Sequence, residues 1–313
     1  MKQVVVKCGK SVIDRWVKNV GALLPEFEVL GYRSESVRPG DVSYIVGWQP
    51  DALWVNSFPN LKALAAIGSG VDHIVNLGQL RKGIPVLRTV SPDLAQKMAE
   101  YVSMCVLSWH RRLPAMMEAN AHRTWTVFDS PLASERTVGI MGYGRMGGKV
   151  ANVLNALGFR IKIWSKSPRE DRTFSYFHGT EQLRAFAEGC DILVCLLPLT
   201  NETEGIIDYN LLKCINRGGC LINAARGSHL IEPDLFRALD EQLLSFAYLD
   251  VLAKEPAPAS DPIWERDDIL ITFHCAAYIS AEAGAQIIAE NIRAYDCDPD
   301  GYQGPIYDPA IGY

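Results

Sequence analysis

The sequence predicts an α/β protein with two parallel, doubly wound sheets, and three observations support this. Short apolar runs of strand length alternate with helical patterns along most of the chain, which is typical of parallel sheets. The chain has 313 residues, which corresponds to about two domains. Its residues are 48% hydrophobic and 21% charged, a composition that supplies two apolar cores and excludes a disordered chain.

The first ninety residues carry the pattern of one sheet. A helical pattern covers Val12–Leu24, and Leu61–Leu64 is expected to end a second helix. The predicted strands are Val4–Val6, Tyr44–Val46, Ala65–Ile67 and Ile84–Leu87.

Residues 93–123 have the pattern of one long helix. Ser91-Pro92 supplies a start signal, and Pro114 predicts a break or kink. The apolar stripe is broad for a surface helix, so we expect either a contact between domains or subunits, or a core helix.

The rest of the chain predicts the second sheet. Helical patterns cover Lys149–Leu157 and Ser280–Tyr295. Apolar strands joined by crossover helices describe a doubly wound sheet. The predicted strands are Thr137–Met141, Arg160–Trp164, Asp191–Leu197, Gly219–Ala225, Ala247–Val251 and Ile269–Phe273.

A G-x-G-x-x-G motif, Gly142-Tyr143-Gly144-Arg145-Met146-Gly147, lies between a predicted strand and a predicted helix. In this context Gly142 makes the tight turn, Gly144 lets a pyrophosphate approach the backbone, and Gly147 allows close packing. The N–H groups at the helix start bind the phosphate. The motif predicts a Rossmann-like dinucleotide-binding domain, against the alternative of a glycine turn without a ligand.

The next strand of such a domain normally ends in an acidic residue that binds the adenosine ribose. Here that position is Ser165, and Lys166, Ser167 and Arg169 follow it. Hydroxyls and cations fit a 2′-phosphate, so we expect NADPH as the cofactor, with NADH weaker. The alternative is a basic loop exposed to solvent.

Three polar residues, Arg226, Glu255 and His274, each follow a predicted strand of this sheet. Ligands of open α/β sheets bind at the carboxyl ends of the strands. There an Arg can bind a carboxylate and a His can donate a proton, while a Glu beside the ring favours the protonated imidazole. Each residue alone also fits a structural role, but together they predict a catalytic site.

Charge and cysteine content narrow the class of partner and the compartment. The net charge is −5, so we expect no nucleic-acid partner. Eight cysteines without metal-site spacing predict reduced thiols and no metal. The first apolar run is too short for a signal peptide, and no run reaches the length of a membrane span. We therefore expect a cytoplasmic protein without a membrane partner.

These motifs resemble the signature of the D-isomer specific 2-hydroxyacid dehydrogenase family. Phe273 departs from the family pattern, which usually has Pro there, a change that concerns the loop geometry and leaves the imidazole in place. The segments similar to the family are Ala224-Ala225-Arg226-Gly227, Leu249-Asp250-Val251 with Glu255-Pro256, and His274. Those similar to its NADPH-dependent glyoxylate/hydroxypyruvate reductase branch are Trp48, Trp164-Ser165-Lys166-Ser167 and the closing Ile311-Gly312-Tyr313.

The resemblance implies a role for each site residue. Arg226 would bind the substrate carboxylate and keto group, His274 would be the acid/base, and Glu255 would orient it. Asp250 would lie near the nicotinamide carboxamide. The implied substrate-binding residues are Trp48, Gly68, Ser69, Gly70 and Arg226. The implied cofactor-binding residues are Gly142, Gly144, Arg145, Met146, Gly147, Ser165, Lys166, Ser167, Arg169, Leu197, Pro198, Ala224, Ala225 and Asp250.

The resemblance also implies a discontinuous architecture and a reaction. Residues 1–95 and 282–313 would form a flavodoxin-like substrate domain and residues 96–281 a Rossmann-like dinucleotide-binding domain, with a cleft between them and a homodimer as the assembly. The implied enzyme reduces glyoxylate to glycolate and hydroxypyruvate to D-glycerate with NADPH. Two alternatives stay open: a dehydrogenase for a bulkier or phosphorylated D-2-hydroxy acid, and a dinucleotide-sensing, corepressor-like binding protein.

Overall fold

The chain divides into two compact units, each with one parallel sheet, and this confirms the predicted α/β class. The computed structural model describes residues 1–75, 81, 83–168 and 173–308. The first unit is Met1–Pro92 with Tyr278–Tyr313, and the second is Asp93–Ala277. The sequence predicts these boundaries at 95/96 and 281/282.

Strands and helices alternate along both units. The described strands are β1 (Gln3–Lys7), β2 (Glu28–Gly31), β3 (Val42–Gly47), β4 (Ala63–Ala66), β5 (Val86–Leu87), β6 (Thr137–Met141), β7 (Arg160–Ser165), β8 (Ser175–His178), β9 (Ile192–Cys195), β10 (Gly219–Asn223), β11 (Leu244–Leu249) and β12 (Ile269–Ile271). The described α-helices are α1 (Ile13–Leu23), α2 (Ala52–Asn56), α3 (Asp72–Val75), α4 (Pro92–His110), α5 (Leu113–Ala121), α6 (Arg145–Ala156), α7 (Leu183–Ala187), α8 (Tyr209–Leu212), α9 (Glu232–Asp240) and α10 (Ala281–Cys297).

The sheet of the first unit has the parallel strand order β2-β1-β3-β4-β5. This is the flavodoxin-like doubly wound order. The expectation that Leu61–Leu64 ends a helix is wrong, because the helix ends at Asn56 and Ala63–Ala66 is a buried strand. Strand β2 was not predicted, since all four of its residues are only half-buried and give no apolar run.

The carboxylate of Asp296 on α10 is hydrogen-bonded to two lysines and a tyrosine of this unit. The Asp296 carboxylate accepts hydrogen bonds from Lys62 Nζ at 2.6 Å, from Lys2 Nζ at 2.9 Å and from the Tyr44 hydroxyl at 2.9 Å. Burial alone would raise the pKa of Asp296, but these three donors outweigh burial and hold the pKa at about 2, below its ordinary value of 3.8. The ionised carboxylate therefore stabilises the folded first unit.

The second unit has the parallel strand order β12-β11-β10-β9-β6-β7-β8. Counted from β6, this is the Rossmann order 3-2-1-4-5-6 with one further strand, and the order reverses between β6 and β9. Alternate residues of the central strands belong to two apolar clusters, so the sheet is covered on both faces. Strand β8 was not predicted, because none of its residues is fully buried.

Residues 93–123 form two helices rather than the single helix predicted. Helix α4 ends at His110, and Arg112 then takes a left-handed φ of 59° before α5 begins. The break therefore precedes Pro114, which is tolerated in the first turn of α5. Helix α4 is a core helix of the second unit, with Val102 and Val106 fully buried. Within the described chain no residue of α5 is buried.

We expect Asp296→Asn to lower the free energy of unfolding by about 2 kcal/mol at pH 7, since the shift from 3.8 to about 2 corresponds to that energy. The effect has a definite sign with pH. A lowered pKa contributes stability that is present above about pH 4 and is lost as the pH falls through about 2. Wild type and variant should therefore converge in acid, as measured by thermal unfolding from pH 7 to pH 2.

The control is Asp300→Asn, an exposed carboxylate just beyond α10, which should change stability by less than about 0.5 kcal/mol. A constant difference between wild type and Asp296→Asn at every pH would contradict the electrostatic account.

Candidate active site

The three strand-end residues lie at one edge of the second sheet. Arg226 follows β10, Glu255 follows β11 and His274 follows β12, and these strands are neighbours. His274 Nδ1 lies 2.7 Å from Glu255 Oε2, so the two side chains form a hydrogen-bonded pair. The charge of Arg226 is close enough to lower the pKa of Glu255. The structure thus brings the predicted trio together.

The Glu255 carboxylate is held ready to pair with an imidazolium. Burial raises the pKa of Glu255. The hydrogen bonds from His274 and from the Leu252 amide lower this pKa by more than burial raises it, so the net pKa lies below its ordinary value of 4.5. The Leu252 amide donates to Glu255 Oε1 at 2.9 Å, while Glu255 Oε2 is hydrogen-bonded to His274 Nδ1. Because Nδ1 is engaged by the carboxylate, the ring nitrogen left for proton transfer is Nε2.

The loop that carries His274 has an unusual backbone and a buried anchor. Phe273 and His274 both take left-handed φ values, 59° and 57°, which residues with a Cβ rarely adopt. The carboxylate of Asp250, whose exposed fraction is 3%, accepts from the amides of Cys275 at 2.9 Å and Ala276 at 3.0 Å. Its main-chain oxygen accepts the amide of His274 at 2.6 Å. The role of Asp250 toward a cofactor stays a prediction.

A second layer of side chains, which the sequence analysis missed, supports this anchor. Thr272 Oγ1 donates to Asp250 Oδ1 at 2.8 Å, and the Tyr101 hydroxyl lies 2.8 Å from Thr272 Oγ1. Because the Thr272 hydrogen goes to Asp250, Tyr101 is the donor in that contact. No local signal identifies Tyr101, which lies on a helix far away in sequence.

The G-x-G-x-x-G segment follows β6 at the point where the strand order reverses. Gly142 has a φ of 102°, and a Cβ there would lie 2.8 Å from the Leu196 carbonyl oxygen. A Cβ on Gly147 would overlap the carbonyl of Gly142, whereas a Cβ on Gly144 would meet nothing within 4 Å. The open space at Gly144, beside the start of α6 at Arg145-Met146, fits the close approach of a pyrophosphate.

The residues predicted to select the adenosine ribose lie at the end of β7. Ser165 Oγ donates to the Ser167 carbonyl at 2.8 Å and also hydrogen-bonds the Tyr176 hydroxyl. Lys166 Nζ forms an ion pair with Glu202 at 2.7 Å, and both side chains are mostly exposed. Sequence analysis did not foresee Glu202 as a competitor for this cation. Arg169 and the closing Ile311-Gly312-Tyr313 lie outside the described residues.

The remaining cofactor candidates of the second unit lie in buried segments after β9 and β10. Leu197, Ala224 and Ala225 are each less than a tenth exposed. The Pro198 carbonyl accepts from Thr203 Oγ1 at 2.8 Å. His229 is also fully buried near this carbonyl, and sequence analysis missed it. The only sequence signal for this residue is its place three residues after Arg226.

The candidate substrate residues Trp48, Gly68, Ser69 and Gly70 belong to the first unit, after β3 and β4. The Trp48 indole packs against the His73 ring at a centroid distance of 4.1 Å. A Cβ on Gly68 would lie 3.7 Å from the same indole. Ser69 Oγ donates to the Thr89 carbonyl at 3.0 Å, so the loop is fixed at its centre. Within the first unit these residues form one local cluster.

Metal sites and membrane-spanning helices are both absent from the described residues. No group of three or more His, Cys, Asp or Glu side chains in that part of the chain is arranged to bind a metal. Among the helices described, none combines the length and the apolar character that crossing a membrane requires.

Residues 103–276 match the family described as "D-isomer specific 2-hydroxyacid dehydrogenase, NAD binding domain". The chain is 35% identical over 307 residues to glyoxylate/hydroxypyruvate reductase A of Serratia proteamaculans, with 96% of each chain covered. It is 33% identical over 287 residues to glyoxylate/hydroxypyruvate reductase A of Yersinia enterocolitica, with 90% of this chain and 91% of that relative covered.

Solved structures agree with these sequence matches. A D-isomer specific 2-hydroxyacid dehydrogenase from Xanthobacter autotrophicus, in complex with NADPH and MES, has a TM-score of 0.89 and 33% identity, covering 100% of this chain and 99% of that one. An NADPH-dependent glyoxylate/hydroxypyruvate reductase from Sinorhizobium meliloti, in complex with NADP and sulfate, has a TM-score of 0.87 and 30% identity, covering 100% of both chains. The protein therefore belongs to the D-isomer specific 2-hydroxyacid dehydrogenase family and is an oxidoreductase.

Proposed function

We propose that this enzyme reduces small 2-oxo acids with NADPH, and that glyoxylate and hydroxypyruvate are its leading substrates. The observation that carries the proposal is the His274–Glu255 pair, 2.7 Å apart. Glu255 follows β11, which lies between the strand before His274 and the strand before Arg226. The names of the relatives support the substrate class, since both relatives and the Sinorhizobium meliloti structure are glyoxylate/hydroxypyruvate reductases.

The side chains divide the chemistry among them. When bound, NADPH supplies the hydride that reduces the keto carbon. Arg226 binds the substrate carboxylate through its planar guanidinium and stabilises the charge that develops on the keto oxygen. His274 donates a proton from Nε2 to that oxygen. Glu255, ionised at neutral pH, orients the ring through Nδ1 so that Nε2 faces the transfer.

The cofactor preference rests on the end of β7. A carboxylate at Ser165 would favour ribose hydroxyls, and this chain has a hydroxyl there. Two structurally similar proteins hold NADPH or NADP. We propose that Ser165, Lys166, Ser167 and Arg169 bind the 2′-phosphate, and that Lys166 leaves Glu202 to do so.

We further propose a homodimer, in which the apolar surface of residues 104–132 is covered by a second copy. Trp125 is 98% exposed and Val127 87% exposed, and α5 buries none of its residues within the described chain. Large exposed apolar patches mark protein–protein interaction sites, which supports this proposal. The exposed large hydrophobic residues of the segment are Met104, Leu107, Leu113, Met117, Trp125, Val127 and Leu132.

His274→Ala should lower kcat for glyoxylate by about 10²–10⁴-fold, because it removes the general acid. NADPH affinity should stay within about twofold, since the ring lies outside the glycine-rich turn. The control is His178→Ala on the opposite edge strand β8, with kcat near that of the wild type. Near wild-type turnover by His274→Ala would remove this residue from the mechanism, and no turnover by wild type on any 2-oxo acid would favour a binding protein.

Ser165→Asp should reverse part of the preference for NADPH, because the new carboxylate repels a 2′-phosphate and accepts from ribose hydroxyls. Lys166→Ala should lower kcat/KM for NADPH by roughly threefold to tenfold and leave kcat/KM for NADH unchanged. Glu202→Gln is the matched variant. It releases Lys166 from its ion pair and should raise kcat/KM for NADPH. The measurement is kcat/KM for both cofactors at one ionic strength. Equal use of both cofactors by the wild type would contradict the assignment.

Phe273→Pro should abolish most activity, with kcat lower by at least about 10²-fold, although the family usually has Pro there. Proline fixes φ near −65°, whereas Phe273 has a φ of 59°. Phe273→Gly is the control, because glycine adopts this φ without strain, and it should retain kcat within about tenfold. If the Pro variant works as well as the Gly variant, the left-handed backbone is not required for proton transfer.

Trp125→Glu should convert the dimer to a monomer, because a buried charge without a partner is costly at an interface. Light scattering after size exclusion reports the mass directly. Leu53→Glu, at another exposed leucine in the first unit, should leave the dimer intact. A wild-type monomer at micromolar concentration would remove this proposal without affecting the catalytic one.

A further inference from the structure

His229 is a fully buried histidine that the reaction itself does not use. Its Nε2 lies 3.2 Å from the Pro198 carbonyl oxygen. Its Nδ1 lies 3.2 Å from the Arg226 amide nitrogen and 3.0 Å from the Arg226 carbonyl oxygen. The Arg226 amide always carries a hydrogen, so as its acceptor Nδ1 has a free lone pair, and the hydrogen of the neutral ring is on Nε2, which donates to the Pro198 carbonyl.

Each end of the ring contacts a different part of the candidate site. Arg226 is the residue proposed to bind the substrate carboxylate. Pro198 belongs to the segment after β9, whose Leu196 carbonyl borders the Gly142 turn. Thr203 Oγ1 donates to the same Pro198 carbonyl at 2.8 Å, so that oxygen has two donors. The ring of His229 therefore joins the nucleotide-facing segment to the substrate-binding arginine.

The surrounding contacts leave the ring in a specific place rather than in a general apolar core. The side-chain amide of Asn223 makes two of these contacts. Its Nδ2 donates to the Arg226 carbonyl at 3.0 Å, and its Oδ1 accepts from the main-chain amide of Ala225 at 3.2 Å. The Ile207 amide donates to the His229 carbonyl at 2.8 Å. The ring adds a side-chain link between the Arg226 amide and the Pro198 carbonyl to these backbone bonds.

We propose that His229 is a positioning residue that fixes Arg226 relative to the Pro198 segment, so that nucleotide binding and substrate binding are coupled through one imidazole. The proposal rests on the proposed function for the roles of Arg226 and the Pro198 segment. It does not make His229 a catalytic residue, because the ring is buried away from the reacting groups.

Two substitutions separate the two contacts. The amide of Asn can take the place of Nδ1, and the amide of Gln can take the place of Nε2. His229→Asn should keep the hydrogen bond to the Arg226 amide and lose the one to the Pro198 carbonyl. The Kd for NADPH should therefore rise roughly threefold to tenfold, with little change in the KM for glyoxylate. His229→Gln should do the reverse, and His229→Leu should raise both.

Thr203→Val provides a variant that leaves His229 intact. It removes the other donor to Pro198, and we expect it to raise the Kd for NADPH and to leave the KM for glyoxylate unchanged. This variant keeps the proposal testable if the His229 variants fold poorly. Equal changes in Kd and KM for Asn and Gln, or no change in either, would show a merely structural histidine and overturn the proposal.

A readout independent of turnover separates this proposal from the proposed function. Hydrogen exchange at the Arg226 amide, followed by mass spectrometry without substrate, should be faster in His229→Gln and His229→Leu than in wild type and His229→Asn. If no 2-oxo acid is reduced but this order of exchange holds, the proposed function fails and the positioning role stands. If glyoxylate is reduced and the four proteins exchange alike, the positioning role fails alone.

Discussion

The buried carboxylate of Asp250 is the constraint on which the candidate site depends. It accepts hydrogen bonds from both sides of a backbone that residues with a Cβ disfavour, the left-handed pair Phe273 and His274. Such a backbone costs on the order of 1–3 kcal/mol per residue and persists only where its surroundings hold it. Charge-assisted hydrogen bonds to a buried carboxylate are among the stronger ones in proteins. The position of the His274 imidazole therefore depends on the carboxylate of Asp250, which follows the neighbouring strand β11, and not on the His274 rotamer alone.

Sequence reasoning succeeds where one local rule determines the structure. The glycine motif follows β6 because only glycine allows the turn at Gly142 and the close packing at Gly147. Arg226, Glu255 and His274 are adjacent because neighbouring parallel strands end at the same edge. The apolar strands of both sheets can also be predicted from the sequence, because strands buried on both faces have continuous apolar runs.

The parts that sequence reasoning missed depend on contacts between distant segments. Strands β2 and β8 have half-buried residues, and their pairing with a neighbour identifies them, not their composition. The ion pair of Lys166 with Glu202 joins residues from separate loops. His229 has no pattern that distinguishes a bridging imidazole from a core one. In each case the decisive partner is remote in sequence.

The order of segments along the chain has a consequence for synthesis on the ribosome. The second unit is one continuous stretch, Asp93–Ala277, whereas the first is assembled from two pieces that flank it. At about 5–20 residues per second, the ribosome needs roughly 10–40 s to make the second unit before α10 emerges. During that interval α1, which packs against α10, has an uncovered apolar side. The nascent first unit therefore keeps this apolar side open to chaperones and to aggregation until α10 has been made.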